Sequence, residues 1–132
     1  MSWESAREQA VPLRFAVFVQ EQGVPVEIEL DELDAGCLHA LAFQGNRAVG
    51  TGRLLPDGHI GRMAVLKPWR RRGIGGAMLK KLVEAAAGRG VRTLRLSAQV
   101  HALEFYRAHG FRPEGEVYEE AGIPHQGMLR QL

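Results

Sequence analysis

The chain has 132 residues, 45% of them hydrophobic and 24% charged, with a formal net charge of +2. That suits one domain, residues 1–132, with a core burying roughly two-thirds of the unfolded surface, and it argues against nucleic-acid binding driven by a global positive field. The longest apolar run, Phe15 to Val19, is far short of the roughly 18 residues that span a bilayer; no export leader is read at the start, and the lone Cys37 points to a reducing cytoplasm.

Pro12 to Gly23, "PLRFAVFVQEQG", reads as the first helix. Proline suits a first turn and glycine the position after the last, and the residues before Pro12 read as a short helical lead-in. "EIELDELD" at Glu27 to Asp34 then places five acids in eight residues. Glu27, Glu29 and Asp31 alternate, so in an extended chain they share a face. Such a run is either a solvated loop or an anionic wall for a cationic partner.

Three short strands follow. Cys37 to Phe43 is apolar, Gly45 to Leu55 opens on a turn signal, and Ile60 to Leu66 comes after the hairpin turn "PDGH". Joined by tight turns, they predict an antiparallel meander. The period then changes. Met78, Leu79, Leu82, Val83 and Ala86 recur at helical spacing until Gly88 and Gly90. Val91 to Ala98 alternates as a strand, His101 to Gly110 is a short helix, and two strands around "AGIP" close the chain. The expected class is α+β, a mixed and mostly antiparallel sheet with helices on both faces.

"RRRGIGG" at Arg70 to Gly76 sits between the third strand and the second helix. Glycines let backbone approach a ligand closely. A helix's first amides lack internal partners and carry positive partial charge, so such a turn cradles phosphate. Arginines add charge-assisted bonds to phosphate oxygens. The dinucleotide and P-loop fingerprints are both unmet, because Met78 stands where a third glycine should be and no G-K-[ST] follows. A pyrophosphate site and a simple tight turn both remain open from the loop alone.

With its neighbours, the loop is more specific. "RRRGIG" resembles the Arg/Gln-x-x-Gly-x-Gly/Ala signature of the GNAT acyltransferases, and "FYRAHGF" at Phe105 to Phe111 is similar to that family's aromatic helix-to-strand motif. "VFVQEQGVP", "GTGRLLPDG", "IGRMAVL" and "EEAGIPHQGM" resemble the ElaA/YjcF-like branch. The likeness runs from about Arg14 to Leu129. It implies the GNAT fold and an N-acetyltransferase that uses acetyl-CoA as co-substrate. One departure is the start, where the family's leading strand has little room, so it is expected to be missing or shortened. That would expose a sheet edge open to pairing or homodimerisation.

The resemblance also implies roles. The third strand splays from its neighbour at a bulge, and Met63, Ala64 and Val65 meet the pantetheine arm. Arg70, Arg71, Arg72, Gly73, Ile74, Gly75 and Gly76 hold the pyrophosphate, and Gln99 and Tyr106 complete the cofactor side. Tyr106 is the catalytic candidate, hydrogen-bonding or protonating the departing thiolate; otherwise it only packs beside Phe105. The base that deprotonates the amine is open among Glu29, Asp31, His39, His101, Glu120 and His125, or a water chain held by several of them. His39 alternates on a strand and equally suits a satisfied half-buried histidine, and Cys37 suits a small core residue. No Cys/His spacing fits a metal. The acceptor is a small-molecule or protein amine. The competing reading is a CoA-binding regulatory module without turnover. Nucleic-acid binding through Lys67 to Arg72 is disfavoured by the acidic run.

Overall fold

The computed structural model describes residues 1–23 and 32–132. Helix α1 spans Trp3–Arg14, so it starts well ahead of Pro12. Ser2 caps it, its hydroxyl accepting from the Ser5 amide. Ala6, Ala10, Leu13 and Val17 are buried along one stripe. Its first half is alanine, which gives little hydrophobic signal, and this is why the proline reads as the start. Pro12 lies inside the helix instead. It has no N–H for the preceding turn, and beyond it the coil widens into a π-helical segment, Phe15–Glu21. There the Gln22 amide reaches back to the Val17 carbonyl. A short 3₁₀ turn, Glu32–Gly36, leads into the sheet.

Strands β1 (Leu38–Gln44), β2 (Arg47–Leu54) and β3 (His59–Val65) form the expected antiparallel meander. Helix α2 (Ile74–Gly88), strand β4 (Thr93–Gln99), helix α3 (Leu103–Ala108) and strands β5 (Arg112–Glu120) and β6 (Ile123–Gln131) follow. The six-stranded sheet has the order β1-β2-β3-β4-β6-β5, and only β3 and β4 run parallel among its neighbours. On one face Leu13 and Val17 of α1 and its extension pack on Ala48 and Ala64. On the other, Leu79, Leu82 and Ala86 of α2 pack on Leu54, Ile60, Leu94, Leu96 and Met128. Each such leucine contributes roughly 1.5–3 kcal/mol by leaving water. β2 lies under both helices and is buried along nearly its whole length.

β3 and β4 pair at His59 with Arg95 and at Ile60 with Leu96, and their ladder goes no further. Just past that point Arg62 and Met63 together oppose Gly52, between the pairs Arg53–Gly61 and Thr51–Ala64. This is a bulge, with Arg62 in the left-handed region at φ 49°. An extra residue bends its strand, so β3 turns away from β4 and leaves a wedge open. On the outer side of β1, the His39 amide donates to the Met1 carbonyl at 2.6 Å, and the Met1 ammonium donates to the His39 carbonyl. Among the described residues, sheet-type pairing on that side is seen at His39.

Candidate functional site

The wedge between β3 and β4 is a cleft of about 1260 Å³. One wall is β3 from Arg62 to Val65, the loop after it and the first turn of α2. The other carries Ser97 and Gln99 of β4, Glu120 of β5 and His125 of β6. Phe105 and Tyr106 of α3 close one side, and Phe18, Glu21 and Gln22 of the widened helix close another. Of the expected cofactor residues, Met63, Ala64, Val65, Arg70, Arg71, Gly73, Ile74, Gly75, Gly76, Gln99 and Tyr106 all line the cleft. Arg72 does not. Its guanidinium carbon sits 5.0 Å above the Trp69 ring, a cation–π contact that turns it aside.

The glycines divide into two kinds. Gly73 caps α2 at φ 79°, and a Cβ there would meet nothing within 4 Å. Its need is conformational, and it leaves the helix start open. No side chain caps α2, so its first amides stay available to an anion. Gly75 and Gly76 face α3. A Cβ would lie 3.4 Å from Phe105 at Gly75 and 3.1 Å from His109 at Gly76. At Gly76 the small residue leaves room for His109 at the end of α3, whereas a Cβ at Gly75 would make only ordinary contact with Phe105; both glycines also line the cleft.

The arginines also separate. Arg70 donates Nη1 and Nη2 to the Glu21 carboxylate at 2.7 and 2.6 Å, and Nε to the Val65 carbonyl at 2.8 Å. That bonding lowers the Glu21 pKa and raises that of Arg70. Arg70 therefore ties the loop to the end of the widened helix. Arg71, at φ 61°, makes no side-chain bond among the described residues and lines the cleft. Beside Glu21, Gln22 and Gln99 exchange amide bonds at 3.3 and 2.7 Å. Two adjacent residues thus grip opposite arms of the wedge. Glu21 and Gln22 had no role in the sequence reading. A carboxylate at a helix C-terminus opposes the dipole, and that was the available sign of a tertiary partner.

Tyr106 packs edge-on against Phe105 and Phe111, with ring centroids 5.0 and 6.0 Å away. Burial pushes its phenol up to about 12. At neutral pH the phenol is therefore protonated. His101, Glu120 and His125 line the cleft, as expected of acceptor-side candidates. His39 does not. It is 2% exposed, and its Nε2 donates to the Asp34 carbonyl at 2.9 Å. Its burial lowers its pKa, so it is a neutral core histidine. Glu27, Glu29 and Asp31 lie outside the described residues. Asp34, the last acid of that run, is buried, accepting from Arg14 at 2.9 and 3.1 Å and from Arg53 at 3.0 Å. Among the described residues no group of three or more His, Cys, Asp or Glu is placed to hold a metal ion, and no helix is long and apolar enough to cross a membrane.

The family model for the acetyltransferase (GNAT) domain matches residues 4–132. The chain belongs to the GNAT acetyltransferase family. It is 40% identical over 131 residues to the uncharacterized N-acetyltransferase YjcF of Bacillus subtilis, covering 96% of this chain and 94% of that one. The crystal structure of Escherichia coli ElaA superposes with a TM-score of 0.87 at 33% identity, over 96% of this chain and 90% of that one. The ElaA/YjcF-like branch is therefore its place in the family. A GNAT acetyltransferase from Elizabethkingia anophelis, solved with acetyl-CoA bound, shares the fold with a TM-score of 0.68 at 22% identity, over 82% of this chain and 84% of that one. In this fold the β3–β4 wedge stands open, and residues of the "RRRGIGG" loop line it.

Proposed function

We propose that this chain, acting as one catalytic domain, moves an acetyl group from acetyl-CoA to a primary amine by direct transfer in a ternary complex. The observation that carries this reading is the cleft itself: an unpaired strand edge, an uncapped helix N-terminus and a half-buried phenol face one space. The acetyl-CoA in the Elizabethkingia structure supports the choice of donor. The first amides of α2 and the Arg71 guanidinium would hold the diphosphate. Backbone of Met63 and the amide of Val65 would meet the pantetheine, an amide there polarising the thioester carbonyl. One lone pair of the Val65 carbonyl is already engaged by Arg70.

Tyr106 then donates a hydrogen bond to the sulfur as it departs. A phenol near 12 keeps its proton against a thiolate whose conjugate acid lies near 8.5. The group stabilises the leaving charge without surrendering the proton for long. Cys37, buried and not in the cleft, takes no acyl group in this scheme.

The deciding experiment is an acceptor screen with acetyl-CoA, reading free thiol. Turnover with at least one alkylamine or protein lysine is the expected result. A rise in melting temperature with acetyl-CoA, but no thiol with any acceptor, would replace this reading by a CoA-binding module. No effect of millimolar acetyl-CoA on either measure would remove both.

A further inference from the structure

The acetyl-transfer reading leaves one chemical need unmet: an alkylammonium must lose a proton before its nitrogen can attack. We propose that His125 is the general base of that step, its Nε2 lone pair presented to the acceptor because the Ile123 carbonyl holds the ring proton on Nδ1. The proposal rests on the acetyl-transfer reading. The geometry begins at the β5–β6 turn, where Ala121 and Gly122 both have positive φ, 53° and 75°. That tight reversal starts β6 at Ile123 and sets His125 opposite Gln99 and Tyr118 in the two flanking ladders. The His125 ring lies 2.7 Å through Nδ1 from the Ile123 carbonyl. A carbonyl only accepts, so the proton of the neutral ring resides on Nδ1.

Nε2 then carries the free lone pair. It lies 4.0 Å from a carboxylate oxygen of Glu120, whose side chain is half-exposed while that of His125 is only 11% exposed. The imidazole is thus held within the cleft wall, and the carboxylate beside it reaches water. The Tyr118 ring lies 6.1 Å from the imidazole, centroid to centroid, with the two planes 24° apart. Neither of the other two candidate histidines has this arrangement. His39 is sealed in the core, and His101 is exposed on a 3₁₀ turn.

The protons balance as follows. One proton passes from the ammonium to Nε2, giving a neutral amine and an imidazolium, which relays it to Glu120 and solvent. The nitrogen–carbon bond forms as the carbon–sulfur bond breaks. The second nitrogen proton ends on the departing sulfur, so one net proton is released per acetyl group. Glu120 and Tyr118 of β5 face His125, Gln99 opposes it from β4, and Arg62, Glu21 and His101 line the same cleft from the other elements. These groups set the pH response together with the ring.

The test uses His125→Gln in the full chain, with the strongest alkylamine of the thiol-release screen and its β-fluorinated, weakly basic counterpart. At neutral pH the alkylamine is almost wholly protonated, and the fluorinated amine far less so. kcat/KM for the alkylamine should fall roughly 10²-fold or more. For the fluorinated amine the loss should be under about tenfold, because less of it needs a base. Acetyl-CoA affinity should not change. Nitrogen-15 spectra of the wild type should report the neutral His125 ring protonated on Nδ1. Equal losses on both amines, or a ring protonated on Nε2, would overturn the base assignment while leaving acetyl transfer intact. A wild type that binds acetyl-CoA yet turns over no amine would overturn the reading and the base with it.

Discussion

Two arginine–carboxylate pairs tie the first helix and its extension to the rest of the molecule. Arg14 and Asp34 lie beneath α1, with side chains 1% and 2% exposed. Arg70 and Glu21 lie at the cleft rim, at 35% and 36%. The chemistry is the same and the solvent is not. Without water the first pair shares its carboxylate with Arg53, and His39 bonds to the same residue's carbonyl. With water the second pair is screened and adaptable. Charge under α1 is locked between packed elements, whereas charge at the rim borders a cleft open to solvent.

The largest expected effect follows from the buried side. Asp34→Ala leaves Arg14 and Arg53 without the carboxylate they share. Breaking a buried pair in this way costs about 3–5 kcal/mol. Denaturant unfolding should show the loss directly, as a lower midpoint or a chain that no longer folds. A variant of near wild-type stability would mean that water reaches this cluster and that the contrast between the two pairs is false.

The cleft should give the opposite pattern, small in stability and large in rate. Tyr106→Phe keeps the ring against Phe105 and Phe111 and removes a hydroxyl that has no partner among the described residues. The melting temperature should hardly move. kcat should fall by roughly 10²-fold, which is about 2.7 kcal/mol of barrier. With the phenol near 12, the wild-type pH profile should show no basic limb from this group in the working range. A normal kcat under conditions where chemistry is rate-limiting would remove Tyr106 from the mechanism.

Much of this architecture is legible in the residues. The meander follows from turn chemistry at "PDGH", α2 from the spacing of Leu79, Leu82 and Ala86, and the cleft wall from the arginine–glycine signature. What escapes is set by tertiary partners. The acidic run mixes residues of different fate, and nothing in its composition marks Asp34 for burial between two arginines. Three consecutive arginines look equivalent in sequence, yet one stacks on Trp69, one binds Glu21 and one faces the cleft. Pro12 misleads because a proline rule is local, while the buried stripe from Ala6 to Val17 keeps the helix going through it.

His39 offers a pH-dependent test of the buried side. Desolvation is the main cause of its lowered pKa. The unfolded chain therefore binds a proton more readily than the folded one. Stability is full above the ordinary value of 6.5 and declines as pH falls below it, until the folded histidine itself titrates. His39→Gln should flatten that slope, an effect of about 1.4 kcal/mol per pKa unit of difference. Melting curves from pH 7.5 down to 5 would read it. An unchanged slope in the variant would assign the acid sensitivity to other groups.

A modest stability effect belongs to the rim. Glu21→Gln removes the charge that holds both Nη atoms of Arg70, while the Nε bond to the Val65 carbonyl remains available. An exposed pair contributes roughly 0.2–1 kcal/mol, so the melting temperature should drop by only a few degrees. The lowered Glu21 pKa gives the sign of its pH response. The contribution is present above the ordinary carboxylate value of 4.5 and is lost as pH falls through the lower folded value. Because the pair orients the loop, acetyl-CoA should bind more weakly by a few-fold, and high salt should blur the difference. Arg71→Gln should cost more, about tenfold or greater, because that guanidinium faces the cleft without a protein partner to hold it. Adding Glu21→Gln to Arg70→Gln should change little, since Arg70→Gln already breaks the bonds to Glu21 along with the one to the Val65 carbonyl. Full additivity would show that Glu21 and Arg70 act separately, and that the wedge is held open by the Gln22–Gln99 bridge and packing alone.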